Sequence, residues 1–518
     1  MKRKGRHVLR QAVPLLLLTL ILGTAAGCGG ETATEPDNSK SRVVVAQGAD
    51  VTTMDPHNQS EGTTANVLRH IYEALLTRDQ DMKLQPLLAE EWSVVDERTI
   101  RIRLRQGITF SNGEPFNAQV AKFNFDRVTG ALEGQSTVQD FLYENIASVE
   151  VVDEYAIDIN LKKPDALAIN DIGGLMIIPK TYVEEKGFDA LDTNPVGTGP
   201  YLLDQWNPQD SVVLKARQDY WRDPAAIDEV VFRPLPEAAT RLAELKTGGV
   251  DIITNLPPSN IAELEGSDRV EVRTVPSSRI PFLFFNTLDY DLFDDVRVRK
   301  AFNLAIDKEA IINSLYMGYG TQVSTLAPPY FAGYDPNDPF YGYDPEEARR
   351  LLEEAGFDFD HEIEILSTRG RFLNDAQLTE AIASYLGDVG VKVKVNAVEF
   401  GVFARQTQER DIPEMMLAAL GNSSFDTQHT LRYIVISGTD AFSWYANPAV
   451  DALYDEARVA MDPDEHRRLL REANDILFAD PAFVYLFALE DVYGVSKRID
   501  WQPRSDEQIH LYGTEFTR

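Results

Sequence analysis

Seven histidines, one cysteine and a large stock of acids are the side chains here that could do chemistry, and their spacing decides against most of it. His7, His57, His70, His361, His429, His466 and His510 include no pair at i, i+4, and none falls in a Cys/His cluster. A metal held by protein donors needs such convergence, so no metal and no cofactor is expected. No Gly-x-Ser-x-Gly elbow is present to expose a nucleophilic serine. The segment Gly197-Thr198-Gly199-Pro200 has the glycine density of a phosphate loop but lacks the Gly-x-x-x-x-Gly-Lys pattern. It reads as a chain reversal in which glycine supplies backbone freedom and proline fixes the exit. The paired acids Glu90-Glu91 and Asp294-Asp295 are neighbours in sequence and read as solvated or helix-capping groups. Catalysis is therefore not expected. An exported hydrolase of peptides or sugars stays as the alternative of another class.

The N-terminus carries Lys2, Arg3, Lys4, Arg6 and Arg10, then an apolar run over 13–22, then Thr24-Ala25-Ala26-Gly27-Cys28. A basic start, a short apolar stretch and small residues make an export signal, and the run is too short to span a bilayer comfortably. Cys28 is the only cysteine, so the segment resembles a bacterial lipoprotein signal cut before a thiol that takes lipid. The expected location is extracytoplasmic, tethered to the outer face of the cytoplasmic membrane. Residues 29–40 are polar and rich in breakers, as a tether would be. The formal net charge is −32, or −37 once the five basic residues of the signal are removed. Such a chain repels nucleic acid and anionic headgroups. A lone cysteine also excludes an intrachain disulfide, so apolar cores must hold the fold.

Those cores must be built from mixed elements. Helical spacing over 65–76 puts Val67, Ile71, Ala74 and Leu75 on one face, and 99–105 alternates as a half-buried strand. Residues 43–47 read as a buried strand, 117–128 as a helix, and 149–161 as two strands around Asp153-Glu154. Strand 229–233, helix 237–247 ending at Gly248-Gly249, and strand 250–253 form a βαβ unit and imply parallel pairing. One helix is expected over 297–315. Another starts at Asp344-Pro345 and ends at Gly356. Strand 363–367, helix 373–389 and strand 391–395 make a second βαβ unit. Helices over 448–460 and 463–478 (capped by Asp462) and a strand over 483–489 close the chain. Roughly 480 mature residues are too many for one core, so two or three structural units are expected.

A set of short motifs runs in order through these elements. They are Thr53-Met54-Asp55-Pro56-His57, Ile71-Tyr72-Glu73-Ala74-Leu75, Pro86-Leu87-Leu88-Ala89-Glu90-Glu91-Trp92, and the stretch 102–113 ending Phe110-Ser111-Asn112-Gly113. Then come Asn194-Pro195-Val196-Gly197-Thr198-Gly199-Pro200-Tyr201, Asp219-Tyr220-Trp221, the stretch 295–303, and Ala305-Ile306-Asp307-Lys308. Together they resemble the solute-binding proteins of the peptide/nickel class of ABC importers, family 5. The resemblance implies an α/β, mixed α+β, periplasmic-binding-protein-like fold of two lobes with an inserted third domain and a hinge. Lobe I would be 42–77, 196–282 and 487–518, the inserted domain 78–195, and lobe II 283–486. Residues 1–27 would be the signal and 28–41 the tether. The implied partners are a peptide or peptide-like solute and an ABC permease complex, with the protein itself a monomer.

The resemblance also places candidate ligand contacts. In dipeptide binders of this family an Asp in a Gly-Trp-x-x-Asp-Tyr-type segment holds the ligand amine. Here the matching segment is Leu420-Gly421-Asn422-Ser423-Ser424-Phe425-Asp426, with Ser423 at the Asp position and Asp426 three residues later. Asp426 reads equally as a helix cap. The family's carboxylate-binding Arg falls near Arg369, on a loop after a strand, which suggests a ligand with an acidic end and no amine in the usual place. Glu61 and Gly62, Asn255, and Phe282 and Phe284 ahead of Asn286 are further candidates, the phenylalanines reading also as core. Trp444 and Tyr445, beside Asn447-Pro448, are expected to be exposed and could stack on a ligand. Oligosaccharides and metal chelates stay open as alternative solutes.

Overall fold

The computed structural model describes residues 41–517 apart from Ser60, Tyr330, Gly370, Arg371, Ser423 and 438–442. Cys28, the signal and the tether up to Lys40 lie outside the described residues. Three large sheets carry the α/β fold. In the first, neighbouring strands run Val270–Pro276, Phe487–Ser496, Ile252–Ile253, Arg42–Gln47, Glu229–Pro234, Ser211–Ala216 and Tyr201–Asn207, with Gly320–Gln322 added beside Phe487–Ser496. Strand Arg42–Gln47 lies between Glu229–Pro234 and Ile252–Ile253 and is parallel to both. The expected βαβ unit is therefore present, with a strand from the start of the chain filling its middle. Its helix, Ala238–Thr247, ends at Gly248 in the left-handed region, φ 81°.

The second sheet orders Lys392–Val398, Glu362–Thr368, Met415–Gly421, Arg279–Phe285 and Phe483–Tyr485. Its inner strands are buried on both faces, while the edge strand Lys392–Val398 is partly exposed. Along Arg279–Phe285, Ile280, Phe282 and Phe284 enter one core with helices Thr427–Ile434, Pro448–Val459 and Pro463–Ala479. Leu283 and Phe285 enter the opposite core with helices Val296–Ala305, Pro345–Glu354 and Asp375–Asp388. The period-two alternation of a strand makes this division. The third sheet, Ala89–Asp96, Thr99–Leu104, Ala156–Leu161 and Ile146–Asp153, is antiparallel and covers a core of its own with helix Ala118–Val128.

The family-like motifs converge on a buried knot between the first and third sheets. Glu73 accepts hydrogen bonds from Tyr220 (2.6 Å) and from the Trp221 indole (2.8 Å). Arg217, buried, donates to the Thr109 and Phe110 carbonyls at 3.2 and 3.3 Å. Arg127 and Asp55 form a buried ion pair at 2.6 Å, and the Arg127 guanidinium lies 3.9 Å from the Phe188 ring centroid. His57 donates from Nε2 to the Met176 carbonyl and accepts from Arg127 at Nδ1. Burial and the neighbouring guanidinium hold it neutral, its pKa lowered to about 4. A matching knot forms in the second unit, where Asn303 donates to the Phe483 carbonyl and accepts from Tyr485 N–H.

Three expectations change. The stretch 297–315 is two helices, Val296–Ala305 and Lys308–Leu315, because Asp307 caps the second by accepting from Ala310 N–H. The first helix, Gly62–Ile71, stops earlier than its apolar spacing suggests, since the next residues feed strand Leu76–Arg78. Finally, Gly197 and Gly199 do not adopt positive φ. They are glycine because the chain presses on the end of that helix: a Cβ at 197 would lie 1.9 Å from the Ile71 carbonyl oxygen, and one at 199 would lie 2.6 Å from the carbonyl oxygens of His70 and Ile71. Backbone cannot yield as a side chain can. Gly199→Ala should therefore lower stability by about 1–3 kcal/mol or more, whereas Gly342→Ala, with nothing within 4 Å, should leave it unchanged; thermal melting of the two variants checks this.

Candidate functional site

The site is set by how the chain passes between the first two sheets. Strand Val270–Pro276 leaves the first sheet through Ser277 and Ser278, and Arg279 opens the second. Strand Phe483–Tyr485 returns through Leu486 to Phe487–Ser496. The two crossings lie side by side: Ser277 N–H donates to the Leu489 carbonyl at 2.9 Å, and Phe282 faces Tyr485. The first crossing thus falls at 277–278, ahead of 283. Parallel pairing makes Gln47, Pro234 and Ile253 end at one edge of the first sheet, the edge that Pro276 also reaches. Thr368, Val398, Gly421 and Tyr485 likewise end at one edge of the second, where Arg279 begins. Both crossings join these carboxyl-end edges, the place where open α/β sheets hold ligands.

Around this junction the structure gathers polar groups that are not fully paired. Gln47 Oε1, Arg69 Nε, Ser367 Oγ and Asp491 Oδ2 are buried without a hydrogen-bond partner. Arg504 and Asp506 form a buried pair at 2.6 Å. Burial alone would raise Asp506, but the Arg504 bond and charge outweigh it and hold the carboxyl below its usual range. Arg78 donates to Asn170 Oδ1 (3.0 Å) and across to the Ser424 carbonyl (3.3 Å), with its guanidinium 5.4 Å from the Phe425 ring centroid. Met82, Ala327, Phe331 and Phe425 form a small apolar cluster at the same crossing point, and Phe425 is held at φ 56°. A further bridge is Arg432 to Glu144 at 3.1 Å. An open surface depression is lined by Gln80, residues 271–274, Gln502 and Pro503.

These features match known proteins over most of the chain. Residues 83–442 match the family model described as bacterial extracellular solute-binding proteins, family 5 middle. The glutathione-binding protein GsiB of Salmonella typhimurium is 31% identical over 492 residues, covering 92% of this chain and 94% of its own. The chain belongs to the family 5 extracellular solute-binding proteins. The structure of HbpA2 from Haemophilus parasuis matches with TM-score 0.83 at 24% identity, over 92% of this chain and all of that one (100%). The periplasmic binding protein DppA from Helicobacter pylori, in complex with the peptide STSA, matches with TM-score 0.75 at 25% identity, over 92% and 98%. A member of this family is a binding protein and not an enzyme.

Several residues expected in this solute-binding protein's site are spent on structure. Asn422 donates to the Asp426 carbonyl and to Thr430 Oγ1, both at 2.8 Å, while its Oδ1 accepts from Ser424. Asp426 caps helix Thr427–Ile434 through Gln428 N–H and takes His466 Nε2 at 2.9 Å. Burial would lower His466, but that bond and charge outweigh it and raise its pKa. Phe282 and Phe284 are buried in the core, and so are Trp444 and Tyr445. The exposure expected of the last two does not hold: Trp444 packs edge-on against Phe284, 6.4 Å between centroids, and the Tyr445 hydroxyl donates to Asp480. Glu61, Gly62, Asn255, Arg369 and Gly421 are exposed. Of these, Glu61 accepts from Thr52 Oγ1 at 3.0 Å, and Asn255 sits past the carboxyl end of Ile252–Ile253 with φ 50°. Ser423 lies outside the described residues.

Arg69, Arg78, Asp171, Arg504 and Asp506 were not singled out by sequence. One signal was available: Arg69 is the one formally charged residue of GTTANVLRHI, and its i+4 acid, Glu73, lies beyond the helix end and is taken by Tyr220 and Trp221. At the crossing itself, burial and the charge of Glu507 raise the Asp491 carboxyl to about 8, against relief from Ser277 and Arg279. An acid whose folded pKa is raised loses stability as pH climbs from its unfolded value, about 4, to its folded one. Asp491→Asn is therefore expected to become progressively more stable than the parent between pH 4 and pH 8, by more than about 1 kcal/mol, with the gain level above pH 8. Urea unfolding across that range reads it.

Proposed function

We propose that this protein is an extracytoplasmic, lipid-anchored receptor that captures a peptide-like solute between two lobes and delivers it to an ABC permease. The observation that carries this reading is the facing of two carboxyl-end sheet edges across paired chain crossings, with unpaired polar groups between them. A hinge built on two short adjacent segments lets the lobes close on a ligand as bodies. In this reading lobe I comprises 42–77, 196–276 and 487–518, the inserted domain 78–195, and lobe II 279–486, with the crossing at 277–278. The bridges from Arg78 to Ser424 and from Arg432 to Glu144 belong to the closed form. The name of the relative GsiB and the peptide seen with DppA support a peptide or glutathione-like solute. The receptor works as a monomer, and its acidic surface leaves nucleic acid out of its partners.

Native mass spectrometry of the soluble protein begun after Cys28 is expected to show a bound mass, released on denaturation, that sequences as peptide. A sugar or chelate mass would sink the peptide assignment. Small-angle scattering should show a smaller radius of gyration with saturating ligand than after ligand removal; an unchanged radius would count against closure. Cys28→Ser should move the protein from the membrane fraction to the soluble exported fraction.

A further inference from the structure

The segment 78–195 is clasped to the helices beside the second sheet. Arg78 donates to the Ser424 carbonyl at 3.3 Å, and Met82 packs with Phe425. Ala166 N–H donates to the Arg458 carbonyl at 2.7 Å, and Glu144 accepts from Arg432 at 3.1 Å. On the receiving side these contacts fall on two stretches, residues 424–432 and the end of helix Pro448–Val459. One buried imidazole ties the two stretches together. His466, on helix Pro463–Ala479, has Nε2 2.9 Å from Asp426 Oδ2 and Nδ1 2.9 Å from the Ala457 carbonyl oxygen. Ala457 directly precedes Arg458, and Asp426 also holds the start of helix Thr427–Ile434 through Gln428 N–H.

Both partners of His466 are acceptors, a carbonyl oxygen and a carboxylate oxygen. A neutral imidazole has a single N–H and can donate to one of them, whereas the imidazolium donates to both. The second bond therefore lasts only while the ring carries its extra proton. We propose that His466 is a positioning residue for solute capture: as an imidazolium it locks together the two stretches that receive segment 78–195, and losing its proton slackens that clasp and favours release. The inference rests on the receptor reading, in which these contacts belong to the closed form, and adds a proton-controlled step to it. Burial works against the ring's charge, but the Asp426 bond and charge and the Ala457 carbonyl outweigh burial and Arg467, and its pKa rises above the ordinary histidine value. Beyond these neighbours stand His429 and Arg432 on helix Thr427–Ile434, Arg458 after Ala457, and Asp165 and Asp171 across the clasp. Burial first, then Arg432, keep His429 neutral, its pKa lowered to about 4. Burial and Asp165 raise Asp171 to about 7, so the test compares variants at each pH. A histidine with a raised folded pKa contributes its interaction fully at low pH and loses it as pH climbs through the folded value.

Calorimetric titration with reduced glutathione, on the parent and on His466→Gln at the same pH, cancels the titration of the ligand, of Asp171 and of Asp491. The parent should bind about tenfold tighter than the variant near about pH 6, and the margin should close toward about pH 9. Asp426→Asn keeps the helix cap through its amide oxygen but removes the ring's counter-charge, and should bring that closing to a lower pH. A margin that is the same at every pH makes His466 a purely structural residue and overturns the proposal, as does no margin at all. If the parent binds no glutathione, the peptide reading falls separately. Hydrogen exchange at the Ala166 amide then decides, again parent against His466→Gln at one pH. Faster exchange in the variant near about pH 6 with equal exchange near about pH 9 bears the proposal out; any other pattern overturns it.

Discussion

The chain crosses between its two largest sheets twice, and the two crossings touch. Ser277 N–H meets the Leu489 carbonyl, Pro276 faces Glu490, and Phe282 faces Tyr485. Everything functional depends on this constraint. An antiparallel pair of crossings must enter and leave each sheet at the same edge. Because the other strands ending there are parallel, that edge is where loops and helix starts collect. Had one crossing been at the opposite edge, the sheets would stack end to end with no enclosed junction. Ser277 and Ser278 are both buried here, and neither is bulky. Only these two residues separate strand Val270–Pro276 from strand Arg279–Phe285.

The charge distribution follows from enclosure. A chain of net charge −32 carries its acids mainly outside, many in local pairs such as Arg350 with Glu347 and Arg468 with Glu465. Exposed pairs of that kind contribute little to stability. Nearer the junction, the Arg504 bond and charge hold Asp506 below its usual range against burial, while burial drives Asp491 toward its neutral form. Buried acids shed charge where buried arginines cannot.

Much of the fold was legible because its signals are local. Asn117, Asp295, Asp344 and Asp462 cap the helices their sequence positions announce, and both βαβ units follow from strand and helix period alone. The break at Ile306-Asp307 was hidden because apolar spacing continues across it, and only the cap at Asp307 marks the restart. The glycines at 197 and 199 were legible as a reversal but not as a contact, since a helix end over a hundred residues away sets the clearance. The binding residues were harder still. Trp444 and Tyr445 look exposed beside a Pro-containing turn, yet they face a core assembled from Phe284 and Phe483. A residue's role as wall or core is a property of tertiary packing, and one strand pattern is compatible with either.

The loop at 421–426 shows why a site cannot be transferred by alignment alone. Its polar side chains resemble a ligand-reading set, but Asn422 and Asp426 satisfy the backbone turn, Thr430, a helix start and His466 among themselves. An ammonium at Asp426 would compete with the helix N–H and the histidine that its carboxylate already serves. A side chain spent on a helix cap and a buried imidazole is held in place by both, so its type and position in the sequence do not by themselves make it a ligand contact.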